Sequence, residues 1–100
     1  LAGARALVAH GDDLHLPPLR RVFAYLPFEH AEDAAMQRES VRLFESLAAQ
    51  RPALAGYADY ARRHAEVIER FGRFPHRNAA LGRPSSAEET AWLALPGSGF

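Results

Sequence analysis

One hundred residues, 48% of them apolar, are enough for one small folded core and too apolar for a disordered chain. The formal charge is zero, twelve acidic residues against twelve basic ones, and all twelve of the latter are arginine. Their interleaving leaves no basic stripe for a nucleic-acid backbone, and the absence of cysteine excludes thiol catalysis, thiolate metal sites and disulfides.

The chain opens at Leu1 inside an alanine-rich helical pattern without an N-cap, which reads as a truncated or processed start. Residues 1–10 are predicted as a helix stopped by Gly11, and 11–16 as a polar loop. Pro17 and Pro18 suit a first helical turn, where a missing amide donor costs nothing. Leu19, Val22, Phe23 and Leu26 then form one apolar stripe, and Pro27 is expected to end or kink that helix because it disfavours helical geometry at Leu26. A longer helix follows, from about 31–33 to 50, with Glu32 and Asp33 complementing the positive end of its dipole. Val41, Phe44, Leu47 and Ala48 share its apolar face, and Gln37 lies one turn before them. Pro52 closes the segment.

The third strong helix covers 53–71, with Leu54, Tyr57, Ala61, Ala65, Ile68 and Phe71 on its apolar side and Gly72 as its C-terminal stop. On the opposite face Glu66 and Arg70 form a favourable pair worth only ~0.2–0.5 kcal/mol. Residues 73–78 read as a structured turn, a helix-like piece continues to Leu81, and Gly82-Arg83-Pro84 breaks it. Ser86 and Glu89 form a capping box for a last helix, 87–94, docked by Trp92 and Leu93, with Phe100 as an apolar plug. No strand alternation persists. The expected fold is therefore all-α: about four to five helices in antiparallel pairs. No apolar run approaches the ~18–20 residues of a membrane span, and no signal peptide is legible, so a soluble cytoplasmic chain is expected.

Two loops stand out. Leu26-Pro27-Phe28-Glu29-His30 and Phe74-Pro75-His76-Arg77-Asn78 each place proline after a large apolar residue with histidine close by. The run from Arg21 through Val22-Phe23-Ala24-Tyr25 and the first loop to Ala31-Glu32-Asp33, then Gln37, then Arg70-Phe71-Gly72-Arg73 and the second loop, resembles the C-terminal half of the bacterial domain-of-unknown-function family 924. Ser85-Ser86-Ala87-Glu88-Glu89 and Pro96-Gly97-Ser98-Gly99-Phe100 extend the likeness. The resemblance implies a tetratricopeptide-like helical bundle and no particular activity. Ala31 stands where the family usually has serine, so Glu32 or Asp33 is left to cap the following helix, and Ala87 replaces a proline. The family's N-terminal half has no counterpart here, so residues 1–100 are expected to be one helical domain, the C-terminal part of a longer family domain.

The loops also carry the candidate chemistry. Glu29, His30, Glu32 and Asp33 crowd three carboxylates and an imidazole into five residues, but the spacing is not that of a metal site such as His-Glu-x-x-His. They are read as caps and a polar seam, and no metal or cofactor is expected. Arg73, His76, Arg77 and Asn78 offer an anion site, since guanidinium forks bind carboxylate or phosphate in pairs. They equally offer an internal lock, in which Arg77 and Asn78 bond backbone carbonyls and the acidic loop 29–33. The lock is preferred, because buried polar groups need partners and the loops are complementary in charge. His64 is read as a core histidine with one hydrogen bond, the tyrosines as core-edge aromatics, and Arg21 as a solvated residue or one aimed at the acidic loop.

The functional expectation is a scaffold or binding module for a small anionic ligand or a peptide. Its polar wall would be Glu29, His30, Gln37, Arg73, His76, Arg77 and Asn78, with Phe28 and Phe74 as aromatic walls. The alternative is an enzyme, with His30 or His76 as general base, Glu29 orienting it and Arg77 stabilising negative charge. A second copy of the chain is a further expected partner, over the apolar face left by the absent half; nucleic acid and membrane are not.

Overall fold

A computed structural model describes residues 1–98 as five α-helices joined by short turns, with no strand among them. They are α1 (Ala2–Ala9), α2 (Pro18–Glu29), α3 (Ala34–Gln50), α4 (Ala55–Phe71) and α5 (Ala87–Leu93). The all-α expectation holds, and the proposed plug Phe100 lies outside the described residues. No helix is long and apolar enough to cross a membrane among the described residues.

Gly11 follows α1 in a left-handed conformation, φ 73°, which an L side chain resists. The loop after it is not merely polar. It forms a 3-10 turn, Asp12–His15, that buries Asp13. Pro18 takes the first helical position of α2 as its fixed φ favours.

Pro27 neither ends nor breaks α2, which runs on to Glu29. The carbonyl that loses its partner belongs to Phe23, an exposed residue at 66%, on the side of the helix open to solvent. The same rotation corrects the predicted stripe. Leu19 and Phe23 are exposed, and α2 instead buries Arg21, Val22, Tyr25, Phe28 and Glu29. Arg21 is thus neither solvated nor aimed at the acidic loop. Its Nε donates to Tyr25 Oη at 3.1 Å, its guanidinium also reaches Gln50 Oε1 at 2.9 Å, and Tyr25 donates to Asp13 Oδ2 at 2.6 Å. This buried network ties the first turn to the ends of α2 and α3.

Asp33 caps α3, accepting the Met36 N–H at 2.9 Å, as a residue with a short acceptor side chain does in place of serine. That leaves Glu32 for another task. α3 and α4 form the most extensive helix pair, linked by the 3-10 turn Pro52–Leu54. Tyr25, Phe28, Leu43, Phe44, Leu47, Ala58 and Ala61 make the core with Val22. The small residues Ala58 and Ala61 let α4 lie close on α3. Gly72, φ 72°, ends α4. The capping box is complete: Ser86 Oγ accepts from Glu89 N at 3.1 Å while Glu89 Oε1 accepts from Ser86 N at 2.9 Å. Trp92 docks α5 on a second cluster of Val67, Ile68, Phe71 and Phe74. Arg70 stacks its guanidinium 4.7 Å from the Phe71 ring.

Candidate functional site

The seven predicted residues do not converge on one site. Most of them divide between a packed lock and an open cleft, with the Phe74 ring between the two, and Gln37 joins neither.

The lock joins the loop after α2 to the segment between α4 and α5. Its centre is Glu32, which accepts two bonds from the Arg83 guanidinium, at 3.0 and 3.1 Å, and the Phe74 N–H at 2.6 Å. Arg83 also donates to Asn78 Oδ1 at 3.1 Å and to the Phe74 carbonyl at 3.3 Å. The predicted anion-binding Arg73 is occupied by Glu89, in paired bonds of 2.9 and 2.7 Å, and by the Pro84 carbonyl at 2.8 Å. Asn78, 1% exposed, donates to Ser85 Oγ at 3.0 Å and lies 3.5 Å from Glu89. Arg77 donates to the His30 carbonyl at 3.1 Å and lies 4.5 Å from the centre of the Phe74 ring. The acidic and basic loops are thus pinned together, but the charged tie is Arg83 to Glu32, not Arg77. Only Arg77's bond to a carbonyl matches the predicted lock, and Asn78 does not reach the acidic loop.

The electrostatics follow from this geometry. Hydrogen bonds from Arg73, and then from the Ser86 N–H, pull Glu89 down to about 2. Hydrogen bonding to Arg83 is the main cause that lowers Glu32. Both carboxylates are stabilised as anions, so their stabilisation is present above the ordinary carboxylate range and lost in acid.

Gln37 serves neither lock nor cleft. Buried on α3, it donates through Nε2 to the carbonyls of Glu29 at 2.6 Å and Ala31 at 2.8 Å. It closes the C-terminal end of α2, where carbonyls lack helical partners.

The cleft opens where α2 meets α4. It has a volume of about 320 Å³ and is lined by Leu26, Glu29, His30, Tyr57, Tyr60 and His64. Phe28, expected as a wall, points the other way into the core, because one helical residue is a rotation of about 100°. Phe74 is fully buried behind His64, 5.5 Å away edge to face. The walls are Tyr57 and Tyr60 instead, 40% and 50% exposed.

His64 is buried as expected of a core histidine, with Nδ1 2.8 Å from the Tyr60 carbonyl, one turn back. The same Nδ1 lies 3.4 Å from Glu29 Oε1. Both neighbours are acceptors, so Nδ1 carries the proton in the neutral ring. Burial lowers His64 first of all, and it also lowers His30, whose ring centre is 6.2 Å away. His76, against Phe74, is lowered by burial and by Arg77. Burial pushes Glu29 up to about 7. Near neutrality the cleft thus holds neutral imidazoles and a carboxyl group poised between its two forms.

Sequence reading placed Glu29 and His30 on this site but missed Tyr57, Tyr60 and His64 as its far wall. Their spacing, three and then four residues, was the available signal. It sets them in one line along α4, a line that reads equally well as core. Arg83 was read only as part of a helix break. Among the described residues, no group of three or more histidines and carboxylates is placed to hold a metal ion.

The chain is similar to a solved structure of a protein of unknown function from Agrobacterium tumefaciens, with 40% identity and a TM-score of 0.78. The match covers 91% of this chain and 48% of that one, so this chain spans about half the length of its structural relative. None of the curated proteins matches. Residues 1–97 match the family described as bacterial protein of unknown function, DUF924, which covers both loops, the lock and the cleft, and the chain belongs to that family.

Proposed function

We propose that this chain is a ligand-binding module whose site is the cleft between α2 and α4. The observation that carries the reading is Glu29. Its side chain is only 7% exposed yet lines an open cleft, and among the described residues its carboxyl group has one contact, the 3.4 Å approach of His64 Nδ1. A carboxylate offers about four acceptor positions, and a buried one with so few donors is costly. A ligand that fills the cleft and supplies donors relieves that cost. The lock is a poor ligand site by the same reasoning, since Arg73 and Arg83 already hold carboxylates. Aromatic walls with a few polar groups are the usual make-up of small-molecule sites.

The test is a fragment screen by thermal shift on the wild-type chain and on Tyr60→Ala, which removes a half-exposed wall at little cost to the core. Compounds at about 100 times their Kd are expected to stabilise the wild type by about 2.7 kcal/mol. They should stabilise the variant far less. Hits that shift both proteins equally, or no hits at all, overturn the reading.

One observation favours an enzyme as the second reading. A carboxyl group held at about 7 beside a cleft is matched to proton transfer at neutral pH. In that case Glu29 itself moves the proton, and His30 and Arg77 are not the catalytic pair. Slow conversion of a bound fragment, followed by mass spectrometry and lost in Glu29→Gln, is its signature.

A further inference from the structure

We propose that the cleft selects a small planar aromatic ligand bearing N–H donors, of the amine or amidine class, which binds to the ionised carboxylate of Glu29 with its ring between Tyr57 and Tyr60. This rests on the cleft being the ligand site and names the chemistry it takes. It is the opposite preference from that of an arginine-lined anion site.

Three features of the cleft lead to it. The unmet demand is for donors. Glu29 is 5% exposed and, among the described residues, receives only the distant His64 N–H, which is already aimed at the Tyr60 carbonyl. An anionic ligand brings more acceptors to a wall that has too many. The remaining lining is Leu26, His30, Tyr57 and Tyr60; the leucine and the tyrosines suit the faces of a flat ring, and a cation gains further from the tyrosine quadrupoles. The volume, about 320 Å³, lies at the lower end for small-molecule sites and suits one or two rings.

The charged and titratable groups around Glu29 fix how binding should depend on pH. His30 follows it directly, just past the end of α2, and His64 and the two tyrosines face it from α4. His76 and Arg77 stand behind Phe74 on the segment after α4. Arg63 stacks on the Tyr60 ring, 5.3 Å from its centre. Burial lowers all three histidines, which favours their neutral forms, while it pushes Glu29 up into the range from pH 6 to 8. With its carboxyl at about 7, only about a tenth of the free protein is ionised at pH 6 and about nine tenths at pH 8. A ligand that binds the ionised form therefore binds about tenfold more tightly at pH 8 than at pH 6.

The experiment uses benzamidine, benzyl alcohol and benzoate as probes, followed by calorimetry at pH 6, 7 and 8. Benzamidine is expected to bind tightest, with the tenfold rise in affinity and with proton release at pH 6. Glu29→Gln should lose the pH dependence and at least tenfold in affinity. In protein carrying carbon-13 at glutamate carboxyls, saturating benzamidine should move the Glu29 midpoint down by a unit or more, while benzyl alcohol leaves it in place. The carboxyl readout needs no variant. Benzoate or benzyl alcohol binding as tightly as benzamidine, with loss of binding in Tyr60→Ala, overturns the donor preference and leaves the cleft as the site. Failure of all three probes, together with an empty fragment screen, overturns both.

Discussion

Replacing Arg83 by alanine tests the lock at its most connected point. The guanidinium makes two bonds to Glu32, one to Asn78 Oδ1 and one to the Phe74 carbonyl, all between 3.0 and 3.3 Å. The side chains of Arg83 and Glu32 are 26% and 23% exposed, so the pair lies between the surface and buried limits. An exposed pair is worth about 0.2–1 kcal/mol, and breaking a fully buried one costs roughly 3–5 kcal/mol. The substitution leaves Glu32 with the Phe74 N–H alone and strands a carbonyl oxygen on Asn78, itself 1% exposed. A loss of about 2–3 kcal/mol is expected, which for a domain of this size is a drop of roughly 10–20 °C in Tm. Urea denaturation of the wild type, Arg83→Ala, Glu32→Gln and the double variant measures it, and the double-mutant cycle should return a coupling of at least about 1 kcal/mol. Arg77→Ala, which removes a bond to a carbonyl and a stacking contact, should cost only about 1 kcal/mol. If Arg83→Ala stays within about 0.5 kcal/mol of wild type, or if Arg77→Ala proves the more damaging, the assignment of the tie to Arg83 and Glu32 is wrong.

Two further substitutions probe the other buried polar groups. Glu29→Gln should be more stable than wild type at pH 8, by about 1–3 kcal/mol, because it removes a carboxyl group that burial raises to about 7. The sign follows from linkage: a raised carboxyl pKa costs nothing below the unfolded value and costs fully above the folded one. The advantage of Glu29→Gln should therefore grow from about pH 4.5, level off above about pH 7, and be absent in acid; a constant difference across pH 4–8 counts against it. Tyr25→Phe should lose about 1–3 kcal/mol by denaturation, because it strands the buried Asp13 carboxylate and the Arg21 Nε; a near-neutral result would mean that water replaces the hydroxyl.

What the sequence disclosed depended on how local the cause was. The helix stops at Gly11 and Gly72, the proline at the start of α2 and the Ser86–Glu89 box are each settled within four residues, and each is in place. Face assignments needed tertiary context. Leu19 and Phe23 share a stripe with Val22, yet the face of α2 that meets α3 is the one carrying Arg21, Tyr25 and Glu29, because a satisfied polar network can occupy a core position. Complementary charge between the loops at 29–33 and 73–78 was legible. Which arginine used it was not, since Arg83 lies ten residues from Arg73, and its approach to Glu32 depends on the turn at Gly82. The cleft was half legible for the same reason: Glu29 and His30 are neighbours in sequence, while His64 joins them only once α2 and α4 lie on the same helix.

The distribution of buried charge makes Glu29 the exception that needs a reason. Asp13 receives the Tyr25 hydroxyl, Glu32 receives Arg83 and a backbone N–H, and Glu89 receives Arg73 and a backbone N–H. All three are spent in bracing α2 and α5 from opposite ends. Glu29 sits between these braces, at the C-terminal end of α2, and among the described residues receives only the distant His64 N–H. A leucine or glutamine at 29 would pack there at lower cost if packing were the purpose. On the reading proposed above, a braced frame around one undersatisfied carboxyl group suits a binding site, since a frame that keeps such a group from relaxing toward water keeps its demand for donors available to a ligand.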